Sequence, residues 1–429
     1  MSRPAAVRAT DAPAPSRAAP ALAAWLQDGR DDTRDLLRLT ESPGMISFAG
    51  GLPAPELFPK AAIGRAFQKV LDESAGRACQ YGPAEGIAEL RELIAARLTE
   101  RARRQVGAGA FRAENILITT GSQQALDILG KVFVEEGDAI ATEAPTFLGF
   151  FDAMRPRRPR YLTLSHRNGA WSTASKGEFV DDAPKLSYIL PNFQNPSGTC
   201  LSIEARRDLL AYLGRYDGPI IEDDPYGRLR YEGEEPAHLA SLAAAAAAER
   251  APAGRDAPYA GQVIHLGSIS KTLVPALRIG WIAAPTPVIT GLVRAKVGAD
   301  IATSALTQLV TYDLLKEGFE DEHVDSIRAL YCERRDAMLD ALDRTMPKDF
   351  TWTRPEGGLF IWVTMPPDMS SAALFDAAMR RGVGFVKGAA FYHDGSSDTT
   401  FRLNYSNADP DRIEEGIRRL AAAVADVRP

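Results

Sequence analysis

The apolar positions of this chain change period several times, and each change marks an element. "NILITT" is a short β-branched run. "SQQALDILGKVFVEEG" follows it with apolar side chains at helical spacing and stops at Gly137. "DAIATEAP" and "KLSYILPN" read as strands, "SIEARRDLLAYLGRY" as a helix, and "GPIIEDD", "QVIHLGS" and "RIGWIAA" as strands again. Alternation of this kind, from about residue 60 to about residue 300, predicts an α/β unit built on a mostly parallel sheet. Ligands of such sheets bind beyond the carboxyl ends of the strands.

After residue 300 the pattern changes. "ALTQLVTYDLLKEGFEDEHVDSIRALYCERRDAMLDALDR" is a long charged helical stretch, too long for one ordinary helix. Strand-like "GGLFIWVTM", "VGFVKG" and "TTFRLNYS" follow, then a last helix, "DPDRIEEGIRRLAAAVADV", with Asp409 or Asp411 near its N-cap. The expected layout is a disordered Pro/Ala-rich arm over 1–30 and a segment over 31–55 that packs with the small domain. A large domain over 56–310 and a smaller α+β domain over 311–429 complete it. The low-complexity "SLAAAAAAERAPAGRDAPYAG" is expected as a helix and loop inserted at the surface.

Composition narrows the function. The 429 residues exceed the roughly 250–300 at which single cores stop growing, so two domains are the default. A net charge of −6 argues against nucleic acid as a partner. Cys79, Cys200 and Cys332 are too scattered for a disulfide framework or a zinc site, and the five histidines lack metal-ligand spacing, so no metal is expected. No apolar run reads as a signal peptide or a membrane span, and the expectation is a cytoplasmic protein.

The polar clusters fall where strands end. Gly121, Ser122 and Gln123 stand where "NILITT" gives way to a helix, a place suited to a phosphate. Asn192 and Asn195 occupy the turn "PNFQNPSG". Asp223 ends the run "GPIIED", with Tyr226 three residues on. "GSISK" brings Ser268, Ser270 and Lys271, and Arg278 follows as a fixed cation. One ligand needs all of these. Pyridoxal phosphate requires an amine for its aldehyde, and hydroxyls, N–H groups and an arginine for its phosphate. It also requires a carboxylate for its ring nitrogen, neutral donors for its phenolic oxygen, and an aromatic ring against one face.

In that order the motifs resemble a fold-type I aminotransferase of class I/II, nearest the 2-aminoadipate/kynurenine branch. "ISFAGGLPAPELFP", "QYGPAEGIAELREL", "ITTGSQQALD", "PNFQNPSG", "EDDPYGRLRY", "SISKTLVPALRIGW", "RPEGGLFIW" and "FRLNYS" carry the resemblance over about residues 30–425. It implies a large domain with a mostly parallel, seven-stranded type of sheet beside a smaller α+β domain. It also implies that Lys271 binds the cofactor aldehyde and moves the proton between substrate Cα and cofactor. By the same resemblance Asp223 partners the ring nitrogen, and Tyr226 and Asn195 the phenolic oxygen. Ser122, Gln123, Ser268, Ser270 and Arg278 would cradle the phosphate. Tyr81 would reach the phosphate of a neighbouring copy, which implies a homodimer with shared sites. Arg402 would clamp the substrate α-carboxylate, and Gly51 would let substrate approach closely.

Phe147 falls on the stacking position, where near relatives carry a tyrosine; it can stack but cannot donate a hydrogen bond. Arg34, in "DDTRDLLRLTESPG", falls on an arginine that meets the distal carboxylate of the substrate in some relatives. The implied substrates are amino acids and 2-oxo acids. Two rivals remain: another pyridoxal phosphate chemistry, such as decarboxylation or β-elimination, and a transcription regulator on the same fold. The regulator needs about 60–80 residues of DNA-binding pattern ahead of the catalytic part. Only about 30 residues stand there.

Overall fold

The structure is a computed structural model that describes residues 21–27, 44–107, 109–167, 169–175, 178–180, 182–250 and 259–428. Residues 1–31 and 32–429 form two separate units. In the first, Ala24–Gln27 is one short helical turn.

The second unit is organised by a nine-stranded sheet. In spatial order its strands are Ile116–Thr119, Gly280–Ala283, Val263–Ser268, Ile220–Asp223, Leu186–Ile189, Ala139–Glu143, Arg160–Arg167, Ala170–Ser175 and Glu178–Phe179. The four pairings from Val263–Ser268 through to Arg160–Arg167 are parallel. Gly280–Ala283 runs antiparallel to both neighbours. The first seven strands match the expected sheet, and the antiparallel strands Ala170–Ser175 and Glu178–Phe179 extend it. The central strands are buried along their length, as "ILIT", "LSYI", "IIED" and "VIHLGS" must be when helices cover both faces.

A four-stranded antiparallel sheet, Thr351–Trp352, Phe360–Thr364, Thr400–Asn404 and Val386–Lys387, lies later in the chain. "VGFVKG" splits: Val383–Gly384 instead pairs with Ile46–Ser47, so the early segment joins this later region. The long helical stretch is two helices, Ala305–Lys316 and Phe319–Thr345, broken at Gly318 with φ 76°. Asp409, not Asp411, caps the last helix, Pro410–Val427: its side chain accepts from the Arg412 N–H at 2.9 Å. The low-complexity segment begins as the helix Leu239–Arg250; residues 251–258 lie outside the described residues. Among the described residues no helix is long and apolar enough to cross a membrane.

Candidate active site

The carboxyl ends of the central strands converge on one cluster. Ser268 ends its strand, and Lys271 follows within three residues. The Lys271 Nζ donates to the Gly51 carbonyl at 2.8 Å. Gly51 has no room for a side chain: a Cβ would lie 2.9 Å from Phe360 Cζ. Burial, then the guanidiniums of Arg402 and Arg278, lower the Lys271 amine to about 8.

Asp223 closes its own strand and is buried. Its Oδ2 accepts from the Tyr188 hydroxyl at 2.7 Å, while Oδ1 has no hydrogen-bond partner. Burial pushes the carboxyl up to about 6, against the pull of the Tyr188 hydrogen bond. A buried carboxylate with one oxygen held and one unanswered suits a cationic ring N–H.

Arg402, on Thr400–Asn404, is 1% exposed. It donates to Asn195 Oδ1 at 2.7 Å and to the Ala49 carbonyl at 2.5 Å, and its Nε has no partner. Its guanidinium lies over the rings of Phe360 and Phe391, 4.2 and 4.9 Å from their centroids. Among the described residues no carboxylate pairs with it. Burial therefore pulls it down to about 10. An unpaired buried cation is costly unless an anion comes to it. Asn195 also acts on Tyr226: burial, the larger effect, pushes the Tyr226 hydroxyl up, and the Asn195 side chain draws it down. Tyr226 is buried edge-on against Phe360, at 5.6 Å.

The helix Ser122–Phe133 begins nearby. Its N-cap is Gly121, at φ 79°, with no side chain capping the first N–H groups. A Cβ on Gly121 would lie 2.4 Å from Arg278 Nη2, so the guanidinium lies across the start of the helix. Positive helix end, free N–H groups and guanidinium together make an anion cradle. Ser268 Oγ donates to Ser270 Oγ at 2.9 Å. Gln123 Nε2 donates to the Gly149 carbonyl at 2.7 Å, and the half-buried Phe147 ring lies against Gly149.

Of the two remaining expected residues, the structure describes one. Tyr81 is 81% exposed. Arg34 lies outside the described residues. Other contributors carry no sequence signal of their own. Tyr188 is hidden inside a buried apolar strand. Thr272, next to Lys271, donates to the buried Glu320 at 2.6 Å, and Glu320 also accepts from Arg97 and Arg228 at 2.5 and 2.7 Å. That carboxylate ties the loop after Lys271 to the start of the long helix Phe319–Thr345.

A lysine, an unanswered strand-end carboxylate and an anion cradle at the carboxyl edge of this sheet suit pyridoxal phosphate, and the class is that of the enzymes that use it. The chain belongs to the aminotransferase class I and II family, whose model matches residues 55–420. It is 42% identical over 392 residues to a 2-aminoadipate transaminase of Thermus thermophilus, covering 91% of this chain and 93% of that protein. Among solved structures it is similar to LysN, the α-aminoadipate aminotransferase of Thermus thermophilus, complexed with N-(5'-phosphopyridoxyl)-L-leucine. That likeness has a TM-score of 0.80 and 38% identity, over 92% of this chain and 95% of the other. A kynurenine aminotransferase of Pyrococcus horikoshii matches with a TM-score of 0.81 and 34% identity, over 94% and 97% of the two chains. The protein is a pyridoxal phosphate-dependent aminotransferase.

Proposed function

We propose that the enzyme accepts a broad set of L-amino acids, 2-aminoadipate-like, aromatic and branched, with a 2-oxo acid such as 2-oxoglutarate as amino acceptor. The observation that carries this is Arg402. A buried guanidinium without an acidic partner suits the α-carboxylate that every donor and acceptor shares. Similarity to enzymes named for 2-aminoadipate and for kynurenine, and to one complexed with a leucine adduct, supports the range of side chains.

Pyridoxal phosphate, when bound, supplies an aldehyde for the amino group and a ring that spreads the charge left at the substrate Cα. In this reading Lys271 holds the aldehyde end and moves the Cα proton. Asp223 keeps the ring nitrogen protonated. Tyr226 and the Asn195 amide donate to the phenolic oxygen, and Phe147 stacks on the ring. Ser122, Gln123, Ser268, Ser270 and Arg278 hold the phosphate. Arg402, with Asn195 and Gly51 beside it, seats the substrate. Residues 56–310 would form the cofactor-holding domain and 311–429 the smaller one, with 31–55 joining the latter. The strand pair Ile46–Ser47 with Val383–Gly384 supports that last assignment.

A donor panel with 2-oxoglutarate or pyruvate, scored by oxo-acid production, tests the range. Arg402→Ala should lower kcat/KM for every donor, by about a hundredfold or more. Arg34→Ala should impair 2-aminoadipate and glutamate by about tenfold to a hundredfold, the loss of one charge-assisted hydrogen bond, and spare leucine and phenylalanine. An equal effect of Arg34→Ala on all donors, or on none, refutes its side-chain role and makes Phe147 the next place to look for specificity.

Tyr81, exposed in the single chain, fits a homodimer in which it reaches the phosphate held by a second copy. Tyr81→Phe should then retain cofactor poorly. Mixed with Lys271→Ala chains, it should form hybrid dimers with one native site, and activity should return. A protein that is strictly monomeric in solution yet active contradicts this.

A further inference from the structure

We propose that Arg206 is a positioning residue: it pins the base of the loop 191–201 and, through Asn195 in that loop, keeps Arg402 set for the substrate carboxylate. The proposal rests on the reading of Arg402 as the seat of that carboxylate. Arg206 is the fourth residue of the helix Ile203–Leu213, near its positive end. It is 0% exposed, and among the described residues no carboxylate pairs with it. A guanidinium that is buried, without an acidic partner and at the unfavourable end of a helix is costly on three counts. A methionine of similar length would fill the space without those costs. What the arginine adds is therefore in the groups it holds.

The oxygens that accept from it are all neutral. Nε donates to the Leu201 carbonyl at 3.0 Å, Nη1 to the Ala237 carbonyl at 3.2 Å, and Nη2 to the Pro191 carbonyl at 2.9 Å and to Asn192 Oδ1 at 2.5 Å. Pro191 and Leu201 are the two ends of the loop, closed by the Leu201 N–H on the Pro191 carbonyl at 2.9 Å. A planar fork spans both ends at once, which a single lysine nitrogen does not. Because Arg206 takes the Asn192 oxygen, the amide NH2 turns to Asp224 Oδ1 at 2.9 Å, beside the strand end that carries Asp223. Between these ties the loop is strained. Phe193 is buried at φ 47°, in the left-handed region that bulky side chains avoid. Such a conformation persists only where its surroundings over-determine it. Two residues further on stands Asn195, whose Oδ1 accepts from Arg402 Nη1 at 2.7 Å. With the base unpinned, Phe193 relaxes, Asn195 moves with it, and Arg402 loses that partner.

The test uses the holoenzyme and glutarate, a dicarboxylate with no amino or oxo group, which reports on the seat without reaction. Its Kd is read by calorimetry, beside KM and kcat for one amino donor, with cofactor absorbance and Tm as controls for intact fold. Arg206→Lys keeps the charge and loses the fork. It should bind glutarate about tenfold more weakly and raise KM about tenfold, the scale of one charge-assisted hydrogen bond, with kcat within about threefold of wild type. Asn195→Ala should weaken glutarate likewise. The double variant should bind it no worse than Asn195→Ala alone, since both changes act through one contact. Asn192→Ala, which takes away one acceptor of Arg206, carries the same comparison if Arg206→Lys does not fold: about threefold alone, and nothing added to Asn195→Ala. Arg402→Ala separates this role from the seat itself. Glutarate binding unchanged in Arg402→Ala removes the seat, and the proposal with it. Binding lost in Arg402→Ala but unchanged in Arg206→Lys overturns the positioning role alone. So do losses that multiply when either loop change is combined with Asn195→Ala.

Discussion

Lys271→Ala should bind pyridoxal phosphate and turn over no donor, a loss of more than about 10⁴-fold in kcat. Two contributions vanish together. In the proposed role, loss of the amine would leave the cofactor aldehyde without its partner and the Cα proton without its base, a role worth about 10²–10⁴-fold by itself. Among the described residues the one fully buried lysine, Lys296, is paired with Asp300 at 2.6 Å. Borohydride should therefore fix the cofactor on Lys271 in wild type and nowhere in the variant. An adduct on another lysine would refute the assignment. The amine, lowered to about 8, carries a pH signature. The cofactor-free enzyme should capture pyridoxal phosphate faster as pH rises toward 8 and level off above it, where an ordinary lysine would keep gaining toward 10.5. Stability has a matching sign. The folded value lies below the unfolded one, so between about 8 and 10.5 the unfolded chain binds more protons at this group and stability rises with pH.

Asp223→Asn should lower kcat by at least about a hundredfold, the scale seen when one preorganised electrostatic partner is removed. The change is isosteric, and an amide oxygen can still accept from Tyr188, so the fold and the 2.7 Å contact have no reason to fail. In the proposed role, what would go is the anion that partners the ring nitrogen, and with it the proton that makes the ring an electron sink. The ring absorption should titrate at lower pH in the variant, a readout that simple loss of packing would not produce. Near wild-type turnover would refute the role. Asp224 would be the next candidate by sequence, but its Oδ1 already accepts from Asn192 and Gly227.

The legible parts of this protein are those carried by local chemistry. Strands of four to six residues stand out because both faces are buried, and the polar groups at their ends stand out against them. Asp409 is readable as a cap because Pro410 and an apolar period follow it. The hairpin strands Arg160–Arg167 and Ala170–Ser175 escape notice, since their polar alternation resembles a loop. Tyr188 reads as core because nothing in a strand sequence says which residue a hydroxyl will meet. Glu320 reads as an ordinary acidic residue in the first turn of a helix. Its partners Thr272, Arg97 and Arg228 arrive only through tertiary packing. His238 is separated from Glu222 by an entire loop, so nothing in the sequence reveals that its Nδ1 comes within 3.8 Å of Glu222 Oε1.

The most direct measurement is a single half-reaction: holoenzyme mixed with one amino donor and no oxo acid, with every product quantified. Amino transfer predicts one equivalent of the matching 2-oxo acid per site, with neither carbon dioxide nor free ammonia, and continued turnover only once 2-oxoglutarate is added. Release of carbon dioxide, or of ammonia with the donor side chain eliminated, at many equivalents per site without an acceptor would contradict it.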